Sequence, residues 1–437
     1  MIRFALAGLL AVVMALPVRA AVEIQEVTSP GGIDAWLVES HDIPFLALEI
    51  RFKGGASLDA PGKRGAINLM TGLLEEGAGD RDARAFARDR DAMAASFRFD
   101  VSADALSVSA KALTENREAA MAMLREALVA PRFDADAIER VRQQVLSGLR
   151  SDAKDPDTIA MRKLDALAFG DHPYGSAIEG TPESVSALTR DDLIAAKDRV
   201  MARDRLYVGA VGDITAEELG VLLDRLFEDL PEVGAPMPPD TEVALTGGET
   251  VVPFDTPQAV AVFAQPGIER DDPDFFAAFV LNQALGGAGY GSRLNEEVRE
   301  KRGLTYGVYS YLMPMDHAAL VIGQVASANG RVAEAIEVIR AEWRRVAEEG
   351  ITAEELDEVK TYLTGAYPLR FDGNGPIARI LVGMQMDDLG IDYITTRNDK
   401  VNAVTLEEVR RVAGALYRPD ALHFVVVGRP EGLDASN

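Results

Sequence analysis

The chain has 437 residues, enough for two or three domains of ordinary size, and 48% hydrophobic against 26% charged residues is a globular balance that excludes extensive disorder. A formal charge of −25 makes the surface repel nucleic acid and anionic lipid. There is no cysteine, which excludes disulfides, thiol catalysis and Cys-based zinc sites.

Residues 1–20, MIRFALAGLLAVVMALPVRA, read as a secretory signal. Arg3 supplies the positive start, Phe4 to Leu16 the apolar core, and Val18-Arg19-Ala20 a small-x-small cleavage site. The apolar run falls short of the roughly twenty residues a membrane span needs. The expectation is a soluble mature protein, exported to a bacterial periplasm and free of the membrane after cleavage.

The mature chain opens with expected strands at Ala35–Val38 and Phe45–Phe52. A glycine-rich turn with an acid, GGASLDA, leads through GKRG into a helix. A helix near 82–95 precedes a strand pair, Ser96–Val101 and Ala105–Leu113. In the second half, a helix at Ser292–Arg302 likewise precedes Thr305–Met313 and Ala318–Ser327.

These parallels belong to a duplication. FDADAIERVRQQVL (133–146) echoes ITAEELDEVKTYLT (351–364). Leu188–Asp213 matches Val404–Pro430 at an offset of 216 residues, with Thr189 on Thr405, Asp204 on Asp420 and Val211-Gly212 on Val427-Gly428. In both copies a threonine caps a helix with acids in its first turn, and an alternating apolar strand ending in glycine follows. The Pro/Gly-rich stretch 231–249 reads as a linker between domains at 22–230 and 250–433. The expected fold class is α+β: two homologous domains, each a largely antiparallel sheet backed by helices.

The four histidines, His41, His172, His317 and His423, are scattered, and no two lie within four residues of each other. His172 sits in the turn FGDHPYG, His423 on the duplicated strand, and His41 and His317 in expected loops. The acidic pairs, such as Glu75-Glu76 and Asp191-Asp192, fall at helix starts or on polar faces, where solvated acids are the ordinary reading.

The segment LGGAGYGSRLNEEVREKRGLTYGVYSY (285–311) carries the sharpest signal. Leu294 and Val298 give its short helix a buried face, with Arg299 at that face's edge. Gly303 suits the left-handed position that ends a helix, and Tyr306 is expected to open the strand that follows. The ordinary reading pairs Arg299 with Glu296 or Asn295 on the surface and makes Tyr306 one of several sheet aromatics. Gly286, Gly287, Gly289 and Gly291 do not make a phosphate loop. They follow a helix (Asp274–Leu285), not a strand, and no Gly-Lys-Ser/Thr is present.

The segment resembles the C-terminal domain signature of the pitrilysin/insulinase family of zinc metallopeptidases, with R-x-x-x-x-G-x-Y after S-R-L. Val38–Ala78 resembles the same family's opening, whose helix carries H-x-x-E-H in catalytic members. Aligned on Gly65, the corresponding residues here are Asn68, Leu69, Met70, Thr71 and Gly72, and the later helix 141–152 holds no glutamate to serve as third ligand. Asparagine is a poor zinc ligand, glycine has no side chain, and threonine is no base at neutral pH. The resemblance implies half of a clamshell with no zinc and no catalytic residue of its own. It implies a homologous H-x-x-E-H partner that holds the zinc, in a heterodimer or larger assembly. It gives Arg299 and Tyr306 the role of binding a peptide substrate, with the four glycines as a substrate loop. The alternatives are a structural or peptide-binding scaffold of the same fold, and an independent hydrolase with an atypical metal site.

Overall fold

A computed structural model describes residues 23–287 and 291–433. The expected signal segment and Gly289 lie outside the described residues. Among those described, no helix is long and apolar enough to cross a membrane.

Two sheets form. The first comprises β1 (Gln25–Thr28), β2 (Asp34–Glu39), β3 (Phe45–Lys53), β4 (Ser96–Val101), β5 (Ala105–Leu113) and β6 (Leu206–Gly212), in the order β1-β2-β6-β3-β5-β4. The second comprises β7 (Gly248–Pro253), β8 (Gln258–Pro266), β9 (Val308–Pro314), β10 (Ala319–Ala328) and β11 (His423–Gly428), in the order β9-β10-β8-β11-β7. Read from β2 and β7, the strands stand in the same sequence in both sheets. Each sheet has one parallel pair, β2 with β6 and β11 with β7, and is otherwise antiparallel. The duplication seen in the sequence is therefore a duplication of topology.

The helices that frame the site are α1 (Ala66–Thr71), α2 (Ala135–Asp152), α3 (Pro156–Phe169), α4 (Phe275–Gly286), α5 (Ala353–Ala366), α6 (Asn374–Met386) and α7 (Tyr393–Ala403). The expected threonine caps form as capping boxes, Thr189 with Asp192 and Thr405 with Glu408, and Thr352 with Glu355 makes another at the start of α5.

Strand alternation decides which residues build each core. Leu46, Leu48, Ile50 and Phe52 of β3 point into the first core. Ala259, Ala261 and Phe263 of β8 point into the second, while Val260, Val262 and Ala264 point out of its other face. That other face is also buried, so β8 reads as an unbroken apolar run.

What covers the outer faces could not be read from local pattern. Helix α3, from the first half of the chain, lies on β8 and β11 of the second sheet, burying Ala160, Leu164 and Ala168. Helix α6, from the second half, lies on β3 and β6 of the first, burying Ala378 and Leu381 against Val211. Each half lends a helix to the other's sheet. Gly209 on β6 makes the closer contact fit, since a Cβ there would stand 2.7 Å from the Ala378 carbonyl oxygen.

Candidate functional site

Helix α1 carries Asn68, Thr71 and Gly72, the positions at which the resemblance expects a metal motif. Asp59 anchors its start, accepting hydrogen bonds from the backbone N–H groups of Gly65 (2.8 Å) and Ile67 (2.9 Å). Gly65 is left-handed (φ 92°), and a Cβ there would stand 2.4 Å from the Glu179 carbonyl oxygen. Arg64 clamps the turn that holds His172, donating to the carbonyls of Pro173 (3.0 Å) and Ser176 (2.8 Å). The scaffold of the helix is thus fully built.

The side chains it presents are not those of a metal site. Asn68 is half-buried. Thr71 is buried, and its hydroxyl donates back to the Ile67 carbonyl (2.8 Å). A Cβ on Gly72 would meet Val141 Cγ1 of α2 at 3.1 Å, so an aliphatic group faces this corner of the helix. Among the described residues, no group of three or more His, Asp or Glu side chains is placed to hold a metal.

The histidines do not assemble a substitute. His172 and His317 face each other with ring centroids 6.1 Å apart. Both nitrogens of His172 are engaged, Nε2 with the Pro239 carbonyl (3.1 Å) and Nδ1 with the Tyr174 N–H (3.3 Å), and His317 Nδ1 contacts Asp240 (3.1 Å). Burial lowers the His172 pKa, against the Pro239 carbonyl, which favours the charged ring. His41 lies between Asp213 (2.6 Å) and Glu39 (2.8 Å), whose hydrogen bonds raise its pKa. His423 is on β11 and bonds Gly247 and Thr250.

The second candidate element keeps its shape by unusual means. Residues Asn295–Glu300 form a π-helix rather than the ordinary helix expected over 292–302. Lys301 donates to the Glu296 carbonyl (2.9 Å), the i→i−5 spacing that defines the wider turn. Gly303 (φ 60°) then donates to Arg299 O (2.8 Å) and closes the helix in the left-handed cap foreseen for it.

Buried polar side chains fix this turn. Asn295 donates to Ser292 Oγ and to the Val308 carbonyl, both at 3.1 Å, tying the helix to β9. Arg293 makes a bidentate pair with Glu355 of α5 at 2.5 and 2.7 Å. Burial opposes the Glu355 charge, but hydrogen bonds from Arg293 and Thr352 outweigh it and hold the carboxyl below its usual range. Sequence reading passed over this pair. The S-R-L triplet and the capping acid of α5 were its only traces.

Arg299 projects half-buried from the π-helix, with its Nε 3.6 Å from a Glu300 carboxylate oxygen. Tyr306 is 91% exposed. It does not open a strand, which corrects the sequence expectation: β9 starts at Val308. The Thr305 hydroxyl accepts from the Gly307 N–H (3.1 Å) and reaches the Ala326 carbonyl (2.7 Å), holding Tyr306 in a bend ahead of the ladder. Beyond it, Tyr309 and Tyr311 stand on the same face of the edge strand β9, stacked with centroids 6.3 Å apart.

The glycines divide. Gly286 ends α4 under close packing, where a Cβ would stand 2.8 Å from the Ser310 backbone nitrogen. Gly287 lies against the Gln283 side chain, and Gly291 is exposed with open space around it.

Two family models align with the chain: "Insulinase (Peptidase family M16)" over residues 36–182 and "Peptidase M16 inactive domain" over 187–363. The chain belongs to the insulinase, or M16, family. Within it, the matches place the chain with the non-peptidase homologues. A Helicobacter pylori protein described as "Non-peptidase homolog YmxG" is 28% identical over 390 residues, covering 89% of this chain and 90% of that one. A "Probable mitochondrial-processing peptidase subunit beta" from Schizosaccharomyces pombe is 25% identical, covering 87% and 85%. The crystal structure of a "peptidase M16 inactive domain" protein from Pseudomonas fluorescens superposes with a TM-score of 0.87 at 27% identity, covering 95% of this chain and 99% of that one. A Helicobacter pylori protease superposes at 0.84 with 18% identity, covering 93% and 100%, which shows the shared fold.

Proposed function

We propose that this chain is the non-catalytic, substrate-binding subunit of an exported zinc metallopeptidase, and that it completes the peptide chamber of a homologous partner that carries H-x-x-E-H and the zinc. The observation that carries this reading is a contrast within one chain. At α1 the helix stands but its ligand positions hold Asn68, Thr71 and Gly72. At the π-helix, Arg293 and Asn295 are committed to holding a turn from which Arg299 and Tyr306 reach solvent. A guanidinium and a phenol both donate hydrogen bonds to peptide carbonyls, and neither needs a metal to do so. The unpaired edge of β9, beside Tyr309 and Tyr311, offers an extended peptide a strand to pair with.

The test is to purify the chain alone, its H-x-x-E-H homologue from the same genome alone, and the two together, and to measure zinc content and cleavage of an unstructured peptide. Cleavage in the mixture that exceeds either chain alone and falls with Arg299→Ala or Tyr306→Phe supports the reading. Zinc and cleavage in the isolated chain overturn it. A stable complex whose cleavage ignores both substitutions moves the chain to the scaffold reading.

A further inference from the structure

Apart from Arg299, Tyr306 and the positions on α1, the residues of α4, the turn Tyr367–Phe371, the end of α6 and the start of α7 line an open cavity of about 260 Å³. Its walls are aromatic: Phe275, Phe276 and Phe279 from α4, Tyr367 from the turn and Tyr393 from α7. Three guanidinium groups also line it, those of Arg270, Arg370 and Arg397, against a single carboxylate, Asp387. In a chain with 70 acidic and 45 basic residues, this local reversal of sign requires an explanation.

The cations are only partly accounted for. Arg270 lies 3.5 Å from Asp387, donates to Tyr393 Oη (3.0 Å) and stacks over Phe275 at 4.3 Å. Arg397 is 5% exposed and rests over Tyr367 at 4.6 Å. It donates to the Leu363 carbonyl (2.8 Å) at the end of α5 and to Asn398 (3.0 Å). Helix capping therefore explains its position but not its charge. Among the described residues no carboxylate lies within ion-pair distance of Arg397 or of the exposed Arg370. Burial, with Arg370 adding to it, pushes the Arg397 pKa below its ordinary value, against the opposing effect of Tyr393 and Tyr367.

We infer that this cavity is a binding site for a carboxylate attached to a small aromatic or branched apolar group. The rings take the apolar body, and Arg370 at the mouth with Arg397 behind it takes the charge. The volume lies just under the usual span of ligand pockets, which suits one side chain and its carboxylate rather than a nucleotide. Two sources supply that chemistry: a free organic acid and the C-terminal residue of a peptide. The inference is independent of the proposed partner, because it needs neither Arg299 nor Tyr306.

The experiment is calorimetric titration of the whole purified protein at low salt with four probes: 3-phenylpropanoate, N-acetylphenylalanine, a short peptide ending in phenylalanine, and the same peptide amidated. Saturable binding of carboxylates but not of the amide, weakened about tenfold or more by Arg370→Ala, is the expected result. Arg370 is exposed, so its removal leaves the fold in place, which unfolding curves verify. Preference for the peptide acid over 3-phenylpropanoate identifies a C-terminus as the ligand; the reverse identifies a free acid. Equal binding of acid and amide, binding indifferent to Arg370→Ala, or no saturable binding at millimolar concentrations overturns the inference.

Discussion

The Arg293–Glu355 pair offers the sharpest energetic test, because its two members are buried to different degrees. The Arg293 side chain is 7% exposed and that of Glu355 26% exposed. Removing the acid strands a buried cation whose Nη1 already has no hydrogen-bond partner. It also removes half of the Thr352 capping box. Removing the cation leaves a carboxylate that still accepts from the Thr352 N–H (2.7 Å) and touches water. Breaking a buried pair costs about 3–5 kcal/mol, and losing the reciprocal half of the capping box adds less than the roughly 1 kcal/mol of a whole cap, since the Thr352 hydroxyl still accepts from the backbone N–H of residue 355. Glu355→Ala should therefore cost about 4 kcal/mol, and Arg293→Met about 2 kcal/mol. The double variant should cost less than the sum of the two, with a coupling of about 2 kcal/mol. Urea unfolding of the four proteins measures these values. Because the Glu355 pKa is depressed, its contribution is complete above the ordinary glutamate value of about 4.3 and is lost as pH falls through the lowered one. The gap between wild type and Glu355→Ala should close on acidification. A larger cost for Arg293→Met than for Glu355→Ala, or additive single costs, would refute the reasoning.

Gly209→Ala places a Cβ against Ala378 and Val382 and should cost about 1–3 kcal/mol by lifting α6 off the first sheet, read as a drop in thermal midpoint. Burial raises the Asp165 carboxyl to about 7, so the folded state binds a proton that the unfolded state releases between roughly pH 4 and 7. Stability should fall as pH rises through that window, and Asp165→Asn should add about 1–2 kcal/mol at pH 8 and little at pH 4. The combined variant Asn68→His, Thr71→Glu, Gly72→His restores the helix motif without a third ligand on α2. It should lose its zinc on dialysis against buffer, and stoichiometric retention by mass spectrometry would contradict the account of that corner.

What was legible in the chain was whatever repeats or caps locally. The repeated order of elements along the chain, the threonine caps and the Gly303 stop all arise from residues close in sequence, where periodicity and helix-end chemistry act directly. Asn68, Thr71 and Gly72 were singled out differently, by the resemblance aligned on Gly65 and not by any pattern in these residues themselves. Three features were not legible. Tyr306 carries strand propensity, but the Thr305 hydroxyl competes for the backbone and keeps it out of the ladder. The π-turn depends on Arg293 and Asn295 reaching partners on other elements. The cavity of aromatic rings and guanidiniums draws its lining from positions 270 to 397, and no window of sequence brings these together.

The helix exchange was invisible for a related reason, and it makes a prediction that neither half makes alone. The pattern of α3 announces an apolar face but not the sheet it meets, and that sheet comes later in the chain. Since α3 closes the second sheet and α6 closes the first, unfolding either half strips a covering helix from the other. The two halves should unfold together even though the sequence predicts a linker at 231–249. The chain contains two tryptophans. Trp36 packs beside α6 on the first sheet, and Trp343 is fully buried in the second core. Trp36→Phe and Trp343→Phe thus leave one fluorescent reporter in each half. Denaturant curves followed by the remaining tryptophan and by far-ultraviolet circular dichroism should coincide within each variant. Resolved midpoints would mean that the exchanged helices add little and that each sheet is stable without its borrowed cover. Coincidence would mean that α1 on one half and the Arg299 turn on the other ride on a single cooperative body, their separation fixed by packing.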